Sequence, residues 1–406
     1  MMTLTEKIIA RAAGVESVKP GDEVWVTADR IVMNDIGGPR RIAGLIEELG
    51  GLADRERVVL ASDHFIPAAN LRHANILKVT RDWAQAQDIP HFYEYQGILH
   101  NILIEDGLVQ SGMLVVGSDS HTVMAGAVGA VALSVGSTEL ATVLATNELW
   151  LNVPESAQII LDGDPAPLVD LRDITMTMLG DLKTDFALAM AVEFGGSFLQ
   201  KLDMDGRLVL SNQGIEMGAM NAIVPSNDAS LQPDSDAAYQ MTYHYDVSAI
   251  TPQVAAPHMV DNVQPADSLS EVRLDAAWIG SCVGGRYADL KAAADVLRGQ
   301  KTRIPLNITP ATHAIYRSCL EDGTLQTLIE AGAIIHPAGC GACAGLHSGT
   351  VADGEAIITT ATRNFQGRMG SRDSSIYLAS PYTVAASAIA GRVIDARQVV
   401  EGASQP

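Results

Sequence analysis

Four cysteines occur in 406 residues, and two of them stand three apart in the stretch HPAGCGACAGLH, His336 to His347. A third, Cys282, lies in GSCVGGR, and two arginines, Arg363 and Arg368, close the run TRNFQGR. Thiols so spaced suit several chemistries. A C-x-x-C pair can cycle between dithiol and disulfide, but that use needs neither Cys282 nor the arginines. A structural zinc takes four protein ligands, so three thiols would recruit a histidine such as His336 or His347. Three thiolates on an iron–sulfur cluster leave one iron without a protein ligand, and an open iron is a Lewis acid for substrate oxygens. The plainest alternative is a chance C-x-x-C with Cys282 buried in a core.

These residues need elements to position them. Short β-type runs alternate with helical segments, the pattern of parallel α/β layers. In the C-terminal third, strands are expected at Arg273 to Gly280, Thr302 to Ile308, Ala331 to His336 and Glu355 to Thr360, with helices between. Cys282 falls just past the first, Cys340 and Cys343 just past the third, and both arginines just past the fourth. Loops at the carboxyl ends of parallel strands meet in one crevice, so thiols and guanidiniums distant in sequence can share a site. Earlier strands are expected at Glu23 to Ala28, Arg57 to Ala61 and Met113 to Gly117, with a helix from about Gly38 to Glu48. The segment 251–266, with three prolines and no periodicity, reads as a linker.

Composition excludes several classes. At 47% apolar and 18% charged the chain is globular, and its length suits two or three α/β domains. A formal net charge of -21 argues against nucleic acid or an anionic membrane, so an anionic substrate needs a local basic pocket. Four cysteines are too sparse for a secreted disulfide framework. The N-terminus lacks the pattern of a signal peptide; Thr3 with Glu6 reads as a capping box. The apolar run 123–145 carries Glu139, three glycines and several hydroxyls, which marks it as buried core rather than a membrane span. A soluble, cytoplasmic protein is expected.

Seven stretches, in order, resemble one family: SDHFIP (62–67), GILHNILIEDG (97–107), VGSDSHT (116–122), SNQGIEMGA (211–219), GSCVGGRYADL (280–290), PAGCGAC (337–343) and TRNFQGRMG (362–370). The chain resembles the large, catalytic subunit of the aconitase superfamily, of the 3-isopropylmalate dehydratase type. The resemblance implies three α/β/α-type domains, 1–154, 155–265 and 266–406, arranged around a central iron–sulfur cluster. It implies that Cys282, Cys340 and Cys343 hold a [4Fe-4S] cluster with one iron not ligated by protein, the neighbouring glycines letting backbone approach that core. Cys319 matches no ligand position and reads as a core thiol.

Residue by residue, Asp63 and His64 resemble the family's adjacent acid and imidazole, and His100 its second site histidine. Asp119 and His121 match the acid and imidazole of the proton network, with Ser120 near the substrate. Asn212 and Glu216 match residues at the cluster edge and at the reacting hydroxyl; their spacing of four would put them on one face of a short helix. Arg363 and Arg368 resemble clamps on substrate carboxylates. Asn34, in MNDIGGP (33–39), stands where many isopropylmalate enzymes have a His-Asp pair, and is expected to help bind substrate.

The implied activity is reversible dehydration, hydration or isomerisation of a small hydroxy di- or tricarboxylic acid. The resemblance also implies a partner, a separate small subunit carrying the fourth, swivelling domain. Val283 and Gly284 replace the Thr-Asn that usually follows the first cysteine, and Thr362 an Asn. These departures suit a divergent member acting on 3-isopropylmalate or on citramalate, dimethylmalate, maleate or a related acid. The competing class is a non-catalytic cluster-bearing iron or redox sensor, which has no need of a proton-transfer set.

Overall fold

The structure, a computed structural model, describes residues 1–226 and 231–403. Contacts divide the chain into two compact units: 1–94, 99–163 and 184–246 in the first, and 95–98, 164–183 and 247 onward in the second.

The first unit contains strands β1 (Glu23–Thr27), β2 (Arg30–Asn34), β3 (Val58–Ser62), β4 (His91–Glu94), β5 (Leu114–Gly117), β6 (Val131–Ser134), β7 (Glu148–Asn152), β8 (Ser156–Asp162), β9 (Ala191–Gly195), β10 (Asn221–Ile223) and β11 (Met241–Asp246). β2 to β6 form a five-stranded sheet in the order β4-β3-β2-β5-β6, parallel throughout. Side chains alternate between its two faces, as the period of two requires. Ile31, Met33, Val58, Leu60, Leu114, Val116, Val131 and Leu133 join one buried cluster with residues of the helices Leu4–Ala13, Pro39–Glu48 and Ser137–Thr146. Val32, Val59, Ala61, Val115 and Ala132 join another with Leu99 and Leu103 of the helix Leu99–Glu105. Both faces are covered, which is why β3 reads as an unbroken apolar run. A second parallel sheet has the order β10-β9-β8-β11.

Several expectations change here. β1 stays outside the parallel sheet and pairs antiparallel with β7. The central strand β2, two residues further on, is the one the sequence reading overlooked. The apolar run 123–145 breaks into a 3-10 segment, β6 and part of a helix. No helix among the described residues is long and apolar enough to cross a membrane.

The second unit carries β12 (Gln253–Ala255), β13 (Val263–Pro265), β14 (Ala276–Ile279), β15 (Leu306–Ile308), β16 (Ile334–Ile335), β17 (Ala356–Thr359) and β18 (Ser375–Ala379). They form one sheet in the order β13-β12-β18-β17-β14-β15-β16, parallel from β18 to β16. The segment expected to be a linker supplies the antiparallel edge pair β12 and β13. Three-residue strands are too short to show alternation, and Pro265 suits the outermost strand, which needs no further N–H donor.

Candidate active site

In the five-stranded sheet the chain runs outward from β2 through β3 to β4, then returns to β5 on the other side of β2. A ligand crevice is expected at such a switch point, outside the carboxyl ends of the strands. The polar residues gather there. Asn34 ends β2 and Asp35 follows it; Asp63 and His64 follow β3; Asp119, Ser120 and His121 follow β5; His100 lies in the first turn of the helix Leu99–Glu105.

These groups hold one another. Asp63, 1% exposed, pairs with His64 Nδ1 at 2.6 Å through Oδ1 and accepts the Leu99 N–H at 2.9 Å through Oδ2. Burial pushes the Asp63 carboxyl up, the neighbouring His64 pulls it back, and Asp35 adds to the rise. Asp35 accepts the backbone N–H groups of His64 and Phe65, both at 3.2 Å, and so fixes the turn after β3. Asp119 Oδ1 lies 3.0 Å from His100 Nε2 and accepts the His121 N–H at 2.8 Å, which caps the 3-10 segment Ser120–Val128. Burial works to raise the Asp119 carboxyl, but the hydrogen bond and charge of His100, then the charges of His121 and His64, outweigh it and hold it well below the usual carboxylate range. An ionised Asp119 takes the Nε2–H of His100, so in the neutral ring Nδ1 is the acceptor. That Nδ1 is buried with no hydrogen-bond partner among the described residues. His121 Nε2 lies 3.4 Å from Glu216 Oε1, and the rings of His100 and His121 meet edge to face at 6.3 Å.

Asn34, expected at the substrate, is fully buried. Its Oδ1 accepts Ile36 and Gly37 N–H groups at 3.3 and 3.2 Å, and its Nδ2 donates to Asp119 Oδ2 at 3.3 Å. The single helix expected for Asn212 and Glu216 is interrupted: the α-helix Met204–Gln213 ends between them, and Glu216 sits in a 3-10 turn, Gly214–Met217. Asn212 is buried and its amide lies 3.5 Å from Met124 sulfur. Ser120 is half-buried at the start of its turn.

In the second unit the thiols also follow strand ends: Cys282 comes after β14, Cys340 and Cys343 after β16, and Arg363 and Arg368 after β17, a neighbour of β14. None of the four cysteines is in a disulfide; Cys282, Cys319 and Cys343 are buried and Cys340 is partly exposed. Cys319 lies in the helix His313–Glu321, facing the core. His336 pairs with Asn307 Oδ1 at 2.8 Å through Nε2 and with Ser348 Oγ at 3.2 Å through Nδ1. Both its nitrogens are engaged, which speaks against its recruitment to zinc.

The glycines have a local explanation. Gly341, between Cys340 and Cys343, has φ +54°, and an added Cβ would stand 2.8 Å from Thr309 Oγ1 and 3.1 Å from the Trp278 indole. The space it leaves belongs to protein, which corrects the expectation that it makes room for an inorganic core. Gly284 is equally constrained: a Cβ would meet Thr360 Oγ1 and stand 2.5 Å from the Gly280 carbonyl oxygen. Thr360 Oγ1 accepts the Gly280 N–H at 2.9 Å and lies 3.0 and 3.1 Å from the carbonyls of Gly280 and Gly284, clamping the turn that carries Cys282. Thr360 thus fills the room that a side chain at 284 would need.

The arginine loop is tied down beside the thiols. Arg368 Nε donates to the Cys343 carbonyl at 3.0 Å, and Asn364 Nδ2 donates to the Ala256 carbonyl at 2.8 Å. Arg363 is half-buried. Thr362 is buried, its hydroxyl without a hydrogen-bond partner among the described residues. The three thiols, none in a disulfide, follow two strands of the parallel part of one sheet, and thiolates are soft donors of the type that hold iron–sulfur clusters. Asp35 and Thr360 were missed from sequence. Asp35 had a signal in its place beside Asn34 in the stretch MNDIGGP; Thr360 had none.

Comparison with known proteins agrees along the whole chain. The profile of the Aconitase family (aconitate hydratase) matches residues 6–233 and 258–391. The 3-isopropylmalate dehydratase large subunit 1 of Methanopyrus kandleri is 40% identical over 414 residues, 97% of this chain and 99% of its own. The 3-isopropylmalate dehydratase large subunit of Moorella thermoacetica is 41% identical over 98% of this chain and 100% of its own. A probable methanogen homoaconitase large subunit of Methanothermobacter thermautotrophicus is 40% identical over 99% of both. Among solved structures, Thermococcus kodakaraensis aconitase X in its holo-form shares the fold, with TM-score 0.52 and 13% identity over 84% of each chain.

Proposed function

We propose, from the premise that this chain belongs to the aconitase family, that it is the large subunit of a hydro-lyase of the 3-isopropylmalate dehydratase type. Family membership implies an iron–sulfur cluster, and the names of the relatives imply a separate small subunit. The finer reading is a [4Fe-4S] cluster held by Cys282, Cys340 and Cys343, in a chain of three domains, 1–154, 155–265 and 266–406, working in the cytoplasm. When bound, such a cluster supplies a Lewis-acidic iron for a substrate hydroxyl and carboxylate.

This chain's own residues supply the rest. Arg363 and Arg368 bind a substrate carboxylate through paired N–H donors. His100, its Nε2 committed to Asp119, accepts or gives a proton at Nδ1; loss of a hydroxyl as water needs such a donor. Asp63 orients the His64 ring and balances its positive form. His121 and Glu216 make a second proton-carrying pair. Asn34 braces Asp119 rather than touching substrate. The proton on the carbon next to a carboxylate goes to a base carried by the small subunit as the hydroxyl leaves as water, which gives an unsaturated acid to which water can return at the neighbouring carbon, with no net redox change.

The observation that carries this reading is the buried set Asp63–His64 and His100–Asp119–His121–Glu216, which a sensor would not need. The test is anaerobic reconstitution with iron and sulfide, followed by assay with the cognate small subunit on 3-isopropylmalate, citramalate, dimethylmalate and maleate. Turnover of one of these acids is expected. An intact cluster and a bound partner without turnover on any of them would leave the sensor standing instead.

A further inference from the structure

The second unit holds a buried charge cluster that the proposed reaction does not use. Arg172, at the second position of the helix Leu171–Leu182, and Arg286, just ahead of the helix Tyr287–Leu297, are both 3% exposed. Arg286 is fully paired with Asp289: its Nε donates to Oδ2 at 2.8 Å, its backbone N–H to the same oxygen at 2.9 Å, and its Nη2 to Oδ1. Arg172 is held differently. Its Nη2 donates to the backbone carbonyl of Ala361, and its Nε has no hydrogen-bond partner among the described residues.

A buried guanidinium with an unused N–H is costly unless a negative charge nearby offsets it. Burial, with the like charge of Arg286, lowers the pKa of Arg172, while Asp289, Asp170 and, least of these, Cys282 act on it in the opposite sense. The group nevertheless keeps its proton near neutral pH. Asp173 adds no third carboxylate at pH 7, because burial and Asp170 push its carboxyl up to about 8.

The hydrogen bonds give the same placement. Ala361 stands between Thr360, whose Oγ1 clamps Gly280 and Gly284 on either side of Cys282, and Thr362–Arg363. Ser281 Oγ adds a bond to the Thr360 carbonyl at 3.2 Å. One guanidinium therefore grips the loop that the cysteine turn and the substrate arginine share. We infer that Arg172 is a positioning residue that offsets the negative charge of the thiolate-held cluster at Cys282 and fixes the Ala361 carbonyl, so that cluster retention and the placement of Arg363 depend on one side chain. The inference rests on the reading of Cys282 as a cluster ligand.

The test compares wild type, Arg172→Gln and Arg172→Lys in the full chain, reconstituted with iron and sulfide and assembled with the small subunit. Folding is followed by circular dichroism, and the readouts are iron per chain, the rate of loss of the visible cluster band under mild oxidant, the cluster midpoint potential, KM and kcat. Arg172→Gln is expected to lose its cluster roughly tenfold faster or more, as for other residues that support metal ligands, and to show a more negative potential. Arg172→Lys keeps the charge but not the fork, so it is expected to restore potential and retention while KM stays raised and kcat does not fall. A folded Arg172→Gln with wild-type potential and retention overturns the inference while leaving the thiol assignment intact. Wild type that takes up no iron removes the reading beneath it. Should Arg172→Gln not fold, Arg172→Lys decides alone: wild-type potential with raised KM supports the inference, and a shifted potential with unchanged KM overturns it.

Discussion

The two strand-end sites differ in what holds them. In the first unit each polar group is held by another polar group: Asp63 by His64 and the Leu99 N–H, Asp119 by His100 and Asn34, His121 by Glu216. In the second unit the thiols take their positions from backbone and packing, through the Thr360 clamp, the Trp278 indole against Gly341, and the Arg368 bond to the Cys343 carbonyl. Groups that move protons must be oriented by partners that set their charge. Groups that ligate metal need only be delivered at the right spacing, and the metal completes the set. Substitutions should therefore act through charge in the first site and, the inferred charge of Arg172 aside, through shape in the second.

The largest effect is expected at the ligand least able to be replaced. Cys282→Ser should bring iron content and the visible cluster absorbance to near background and abolish turnover, with the fold kept, since Cys282 takes part in no disulfide. Unchanged absorbance in this variant would break the thiol side of the comparison outright.

Next in size is Asp119→Asn, which keeps the shape of the first site and removes its charge. Its expected cost is about 10²–10⁴ in kcat, the usual share of a positioned acid or base, with iron content unchanged. It also carries a pH signature. The folded carboxyl lies well below the unfolded value of about 3.9, so its ionised form stabilises the fold above pH ~4, and that contribution is lost as pH falls through the folded value. The gap in urea midpoint between wild type and Asp119→Asn should narrow as pH is lowered from about 6 to about 3. A constant gap would mean that Asp119 acts by shape after all.

Gly284→Ala probes the opposite kind of dependence. The new methyl would stand 2.5 Å from the Gly280 carbonyl oxygen and press on Thr360 as well, so shortening Thr360 cannot relieve it. A loss of about 1–3 kcal/mol in unfolding free energy is expected, the range for overpacking, readable as a lower urea midpoint.

What the sequence could reveal divides along the same line. The candidate thiols and arginines were legible because they stand in loops after apolar runs, which a parallel sheet brings to one end, whereas the acids and imidazoles were reached through the resemblance of their motifs to one family. Asp35 and Thr360 were harder, since they act on backbone N–H and C=O groups that leave no mark on composition. Strand β2 was missed because it follows β1 after only two residues, too close for a separate strand to be read, although β1 belongs to a different ribbon. The strands β12, β13 and β18 depend on partners far along the chain for their existence, and local periodicity carries no such information.

The smallest effect should come from Arg368→Lys, where both means of support meet in one side chain. Arg368 spends Nε on the Cys343 carbonyl, which leaves the far edge of its guanidinium for a carboxylate. A lysine keeps the charge yet cannot hold the carbonyl and present two parallel donors at once. With wild-type iron content and near wild-type kcat, KM should rise roughly tenfold, about 1.4 kcal/mol. A variant that loses iron at unchanged KM would show that the Cys343 loop, not the substrate, is what Arg368 serves, and a second charged side chain would then join Arg172 in holding the thiol site.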